Sequence, residues 1–295
     1  MSEIIHYDNI CKSSIQNITG ITKLDNKLYI SSKASLKSFA SYEITPTGKI
    51  AYDPTYHDLF GSDIRYVSSF ENYLVIVARE SFSVFLVDPI KNTIINLMIY
   101  NELSDTSENL KEYMVNSGIF PHELNKRNLN LTACIINKSN VYFFIQNRTC
   151  KKTMLFLVKG KLRSDKIALT TEFSLLTYFN LYKVGRDAGL SKRHAKTLIC
   201  TGVTLNNDTN SFIFLIVYSG KGFKGILTKL DIFEGLNSVG GYMHPITLND
   251  KSILTLDNKP RGVTYYKDNL YYVITNMDCN KSNNFTKYFI IKVHE

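Results

Sequence analysis

Apolar and polar positions alternate with period two over most of the chain, and Asn, Asp or Gly clusters stand where the alternation stops. Residues 261–293 show the plan most clearly. Gly262-Val263-Thr264-Tyr265-Tyr266 is β-branched and aromatic, Lys267-Asp268-Asn269 is a turn cluster, and Leu270-Tyr271-Tyr272-Val273-Ile274-Thr275 is a second such run. Residue types of this kind pack well on a pleated surface, and Asp-Asn pairs break it. With 287–293 as a third run, the stretch predicts strand, tight turn, strand, loop, strand.

The same plan recurs upstream. Thr19-Gly20-Ile21-Thr22 precedes a turn at Asp25-Asn26, and Thr201-Gly202-Val203-Thr204 precedes one at Asn206-Asn207-Asp208. Two further units lack the glycine but keep the order: Ile64-Arg65-Tyr66-Val67 before Glu71-Asn72, and Leu131-Thr132-Ala133-Cys134-Ile135 before 137–140. Third and fourth strands are expected at 39–44 and 49–52, 83–87 and 93–100, 154–158 and 167–173, and 225–232 and 241–248. The last unit lacks a fourth strand, and the unused strand-like segment is 3–7.

Units of four antiparallel strands repeated around an axis limit exposed sheet edges. The chain resembles the β-propeller class over nearly its whole length. It has neither the Trp-Asp signature of WD repeats nor the paired glycines of kelch repeats, and its repeats run mostly longer than the about 40–50 residues of those families. The expectation is an all-β chain, 1–295, forming a single five-bladed β-propeller. Its blades would span about 20–52, 64–100, 131–173, 198–248, and 261–293 plus 3–7, with the N-terminal strand closing the last. Two packed β-sandwich domains are the rival architecture.

Three intervals depart from the strand plan. Residues 104–114 carry a capped-helix pattern, Ser or Asp ahead of Glu with Leu110 and Met114 behind. Residues 175–196 read as a loop with helical turns. Residues 219–225, SGKGFKG, read as a mobile hairpin without the spacing of a P-loop. Strand direction alternates within a unit, so in a propeller both long intervals, 101–130 and 175–197, fall on one face. Loops gathered on one face of a rigid scaffold are where sites usually reside.

Composition adds a charge and a compartment. The formal net charge is +9, which favours anionic partners through long-range attraction. Cys11, Cys134, Cys150, Cys200 and Cys279 are odd in number and scattered, with no CxxC pair. That spacing fits free thiols in a cytoplasmic or other reducing compartment better than disulfides or zinc. Residues 1–10 carry Glu3, His6 and Asp8 where a signal peptide needs an apolar core. No apolar run is long enough for a membrane helix, and a monomer is expected.

Chemistry is sparsely signalled. There is no Gly-x-Ser-x-Gly elbow, no His-x-x-x-His, no EF-hand loop, and no cofactor motif. Residues 183–196 hold the densest basic segment, including Lys192, Arg193 and Lys196, able to meet phosphates. The beginnings of innermost strands line a propeller's channel, which nominates Asp63, Arg65 and Arg261, with Arg79 just outside. The expected function is a non-catalytic binding or interaction module presenting its loop-rich face to a macromolecular or anionic partner, a protein or an anionic ligand, nucleic acid being an open case. The alternative is a hydrolase acting on a sugar or nucleotide in the channel, with Asp63 and Glu80 as paired acids.

Overall fold

The computed structural model describes residues 2–10, 18–32, 39–51, 55–57, 64–78, 83–98, 113–114, 129–148, 153–163, 167–170, 172–218, 223–232, 243–246, 254–256, 259–276 and 286–293. They form five antiparallel sheets arranged as a β-propeller. Blade 1 is β2 (Ile18–Leu24), β3 (Lys27–Ser32), β4 (Phe39–Glu43) and β5 (Thr55–His57). Blade 2 is β6 (Ile64–Phe70), β7 (Tyr73–Ala78), β8 (Val84–Asp88) and β9 (Thr93–Met98). Blade 3 is β10 (Leu129–Asn137), β11 (Asn140–Arg148), β12 (Thr153–Lys161) and β13 (Ser174–Asn180). Blade 4 is β14 (Leu198–Asn206), β15 (Ser211–Tyr218), β16 (Phe223–Asp231) and β17 (His244–Pro245), with β18 (Leu254–Leu256) also on β16.

Blade 5 joins the two ends of the chain. Its order is β19 (Lys259–Lys267), β20 (Leu270–Asn276), β21 (Thr286–Lys292) and β1 (Glu3–Ile10). β1 runs antiparallel to β21 from Glu3↔Lys292 to Ile10↔Thr286. The ring is closed by the N-terminal strand, as expected from the missing fourth strand.

The hairpin between first and second strands is tight in every blade. Asp25, Glu71, Lys138, Asn210, Asp268 and Asn269 have positive φ there, the conformation that turns two strands back without splaying them. In blade 4, Asn206 Oδ1 accepts from the backbone of Asp208 at 2.9 Å and of Thr209 at 3.3 Å.

The core lies between blades rather than within them. Leu28, Ile30 and Tyr42 of blade 1 pack on Tyr272, Ile274 and Ile290 of blade 5. Ile213, Leu215 and Val217 of blade 4 pack on Val273 and Ile291 on blade 5's other face. Each fully buried aliphatic chain of this kind contributes about 1.5–3 kcal/mol. Polar anchors fix the rotation between neighbours. Tyr272 donates to the Gly48 carbonyl at 2.5 Å, and Asn206 Nδ2 donates to the Tyr271 hydroxyl at 2.6 Å.

Fourth strands depart most from expectation. In blade 3 the strand is Ser174–Asn180, not 167–173, and Leu169 makes only a single bridge to Leu162. The segment read as a loop with helical turns is therefore a strand followed by two helices, α1 (Leu181–Asp187) and α2 (Lys192–Ala195). No turn residue separates strand from helix, because Asn180 ends one and caps the other. Its side chain accepts from Tyr182 N at 3.1 Å and Lys183 N at 3.4 Å. In blade 1 the fourth strand pairs at Thr55–His57, beyond a lone Ile44↔Ile50 bridge. Of the helix expected over 104–114, only Tyr113 and Met114 lie among the described residues, and both are helical.

Candidate functional site

The five innermost strands share one irregularity. Near its start, each leaves one residue out of register with the second strand: Thr19, Arg65, Thr132, Thr201 and Arg261; β19 has a second such residue, Tyr266, near its end. A β-bulge of this kind re-aims side chains and sharpens the local twist. It explains the recurring sequence phrase. The bulged residue opens the phrase, and the next residue is where neighbouring innermost strands approach each other.

That next position is Gly20, Tyr66, Ala133, Gly202 and Gly262. A Cβ on Gly262 would lie 2.9 Å from Ile21 N and 3.2 Å from Gly20 Cα, and one on Gly202 would lie 3.0 Å from Val263 N. Blades 4, 5 and 1 therefore meet backbone to backbone, which only glycine permits at these separations. Tyr66 sends its side chain across the axis instead. Its hydroxyl donates to the Val203 carbonyl two blades away, and only 3% of the residue is exposed. Tyr66 is a plug at the waist of the channel, and burial holds its phenol pKa well above the usual value.

Two residues further on, hydroxyls bind one blade to the next. Thr204 Oγ1 accepts from Tyr265 N at 3.0 Å, Thr264 Oγ1 accepts from Lys23 N at 3.2 Å, and Ser68 Oγ donates to the Cys134 carbonyl at 2.7 Å.

The plug divides the channel into two mouths. At the leading rim, where innermost strands begin, sit the bulged Arg65 and Arg261, both half-buried. Arg65 Nη1 donates to Asn130 Oδ1 at 3.2 Å, and its charge is close enough to Cys200 to oppose the rise in that thiol's pKa. Two buried polar atoms near this rim, Thr132 Oγ1 and Asn147 Nδ2, make no hydrogen bond. Strand alternation puts the β13–β14 connection, with α1 and α2, on the same rim. The two helices are packed elements: Leu181, Val184 and Ala195 are buried, and a Cβ on Gly185 would fall 2.4 Å from Leu198 Cδ1. Lys192, Arg193 and Lys196 are exposed on this platform. None of these three cations has a carboxylate partner among the described residues. Asp63, Arg79 and Glu80 lie outside the described residues.

At the trailing rim, where innermost strands end, the channel opens into a pocket of about 200 Å³ lined by residues of all five innermost strands and by Asn207. The sequence reading assigned nothing to this mouth. The signal for its floor was present, since Tyr66 stands where three repeats carry glycine.

Cys134 and Cys200 are buried and free. Burial pushes both thiols up, Cys200 to about 12. Cys11, Cys150 and Cys279 lie outside the described residues. Among the described residues no group of three His, Cys, Asp or Glu could hold a metal, and no helix is long and apolar enough to cross a membrane.

These features define a five-bladed β-propeller with a plugged axis, and comparison with known proteins refines that class no further. The sequence matches no family model and no curated protein. The backbone is similar to a thermostable family-43 glycoside hydrolase, with a TM-score of 0.54 and 10% identity over 96% of this chain and 94% of that one. Regucalcin from Agrobacterium tumefaciens, a calcium-binding protein, gives 0.49 at 8% identity, over 99% and 96%. The catalytic domain of the Coprinopsis cinerea GH62 α-L-arabinofuranosidase gives 0.47 at 10% identity, over 94% and 92%. At these identities the likeness is one of fold.

Proposed function

We propose that this propeller is a non-catalytic binding module that takes an anionic partner on its leading rim. The observation that carries the reading is the gathering of positive charge there. Arg65 and Arg261 occupy bulges at the mouth, and Lys192, Arg193 and Lys196 project from the helical platform without ion-pair partners among the described residues. The unbonded Thr132 Oγ1 and Asn147 Nδ2 add polar atoms beside the same mouth. A net charge of +9 strengthens the long-range attraction. Hydrolysis in the channel, the other reading, rests on Asp63 and Glu80, both outside the described residues, and no observation favours it.

The test is titration with a heparin oligosaccharide at several salt concentrations. The Lys192→Gln/Arg193→Gln/Lys196→Gln variant should bind more weakly and with a flatter salt slope, because fewer charges are engaged. Arg65→Gln/Arg261→Gln should lower affinity independently if the ligand enters the mouth. Wild-type affinity and slope in both variants would refute the leading rim as the contact.

A further inference from the structure

We infer that the trailing mouth of the channel is a second binding site, and that it takes a small organic oxyanion, a carboxylate or a phosphate monoester. The site lies on the far side of the Tyr66 plug from the arginines, so it stands independently of the function proposed above.

The pocket has a fixed floor. Tyr66 is held by its hydrogen bond to the Val203 carbonyl and by nearly complete burial. Above it the walls are mixed: the rings of Tyr265 and Tyr266 stand beside hydroxyl-bearing residues such as Ser69 and Thr264, and Val67, Val203 and Val263 back them from the interblade core. At about 200 Å³ it is smaller than the roughly 300–1,000 Å³ of drug-sized sites. That volume selects a compact ligand body and excludes a polymer threading the axis.

The mouth supplies the charge preference. Lys23 Nζ lies 5.7 Å from the centroid of the Tyr266 ring, and Lys267 Nζ lies 5.3 Å from the same ring. Lys23 and Tyr266 both line the pocket. Two ammonium groups thus gather at one ring, and neither has a carboxylate partner among the described residues. Of the two acids whose charge reaches Tyr265, Asp208 and Asp268, Asp208 is engaged there, since its Oδ2 accepts from the Tyr265 hydroxyl. An oxyanion at this mouth is drawn by the positive potential of both lysines, and Lys23 is the one that reaches the pocket. Ser69 and Asn207 also line the pocket and offer a hydroxyl and an amide to the ligand's remaining polar atoms. An anionic head beside Lys23 at the mouth, with a small body directed down towards Tyr66, satisfies both halves of the site.

Calorimetric titration of the full chain with phenyl phosphate, benzoate and inorganic phosphate tests this. The organic probes should bind at least about tenfold more tightly than inorganic phosphate, because the walls contribute only to a ligand with a body. The preferred head group is whichever organic probe binds better. Lys23→Gln/Lys267→Gln should weaken organic binding by about tenfold, at an unchanged melting temperature, because both lysines make only surface contacts. Arg65→Gln/Arg261→Gln should leave it unchanged. Four outcomes would overturn the inference. These are no heat from any probe at millimolar concentration, equal binding of inorganic phosphate, organic binding untouched by the lysine variant, and loss in the arginine variant alone. The last would move the oxyanion to the leading rim and leave the function proposed above standing.

Discussion

Tyr66 occupies the place that glycine or alanine holds in the other innermost strands, and its ring fills the space they leave. Its hydroxyl donates to the Val203 carbonyl across the axis. Tyr66→Phe keeps the ring and orphans that acceptor, so it should lower unfolding free energy by about 1–3 kcal/mol. Tyr66→Ala also opens a cavity and should cost about 3–5 kcal/mol. Urea unfolding should show both as shifts in midpoint at a constant m value. The glycines at this position were visible in the sequence as a repeated phrase, but their reason was not. Close approach is a property of two strands from different blades, and no single strand's pattern records it. Arg65 and Arg261 were legible as residues of the mouth because they open innermost strands. Their bulges were not, because register belongs to a pair. Lys23 and Lys267 read as ordinary turn-flanking cations, and only their shared approach to the ring of Tyr266 gives them a joint meaning.

Among elements, β1 has the clearest energetic role. It covers the edge of β21 over the whole of that strand, and an uncovered edge there would offer its backbone groups to water or to another chain. Removing residues 2–10 should lower the melting temperature by about 10 °C or more, given roughly 2–4 °C per kcal/mol for chains near this size. It should also raise the tendency to associate. A melting temperature equal to that of the intact chain would contradict the closing role. This strand was legible by elimination, from a unit short of one member. First and second strands were legible because Asp-Asn, Glu-Asn and Lys-Ser turns punctuate them. Fourth strands were not. They carry the weakest alternation, as in β9, where only Leu97 and Met98 are buried. In blade 3 a single asparagine serves as both strand end and helix cap, so the sequence shows no break.

For the molecule as a whole, the buried acids set an alkaline limit. Cys134, Cys200, Tyr66 and Tyr272 all titrate higher in the folded chain than when exposed, chiefly through burial. Above the ordinary thiol pKa of about 8.5 the unfolded chain releases protons that the folded chain retains. The unfolded state then binds fewer protons, and stability falls as pH rises. Through these groups stability should be level from about pH 6 to 8 and decline from there through pH 12, first through the thiols and then through the phenols. Cys134→Ala/Cys200→Ala should flatten the first part of the decline, between about pH 8.5 and 10, and leave the later part intact. Thermal melts across that range read both. A decline of the same steepness in the double variant would assign the early loss to other groups.

Closure through β1 also has a consequence in time. The strand that completes the ring precedes the other described strands in the chain, and the strand it pairs with follows them. At about 5–20 residues per second, β1 waits roughly 15–60 s for Lys292 to follow Glu3. Throughout that interval the earlier blades can form their own sheets, but blade 5 cannot, and the flanks of blades 1 and 4 stay open. Folding of this chain is therefore paced by translation up to its final step. A nascent chain stalled before β21 is an open arc with β1 unpaired, which makes it a substrate for chaperones until β21 emerges and closes the circle.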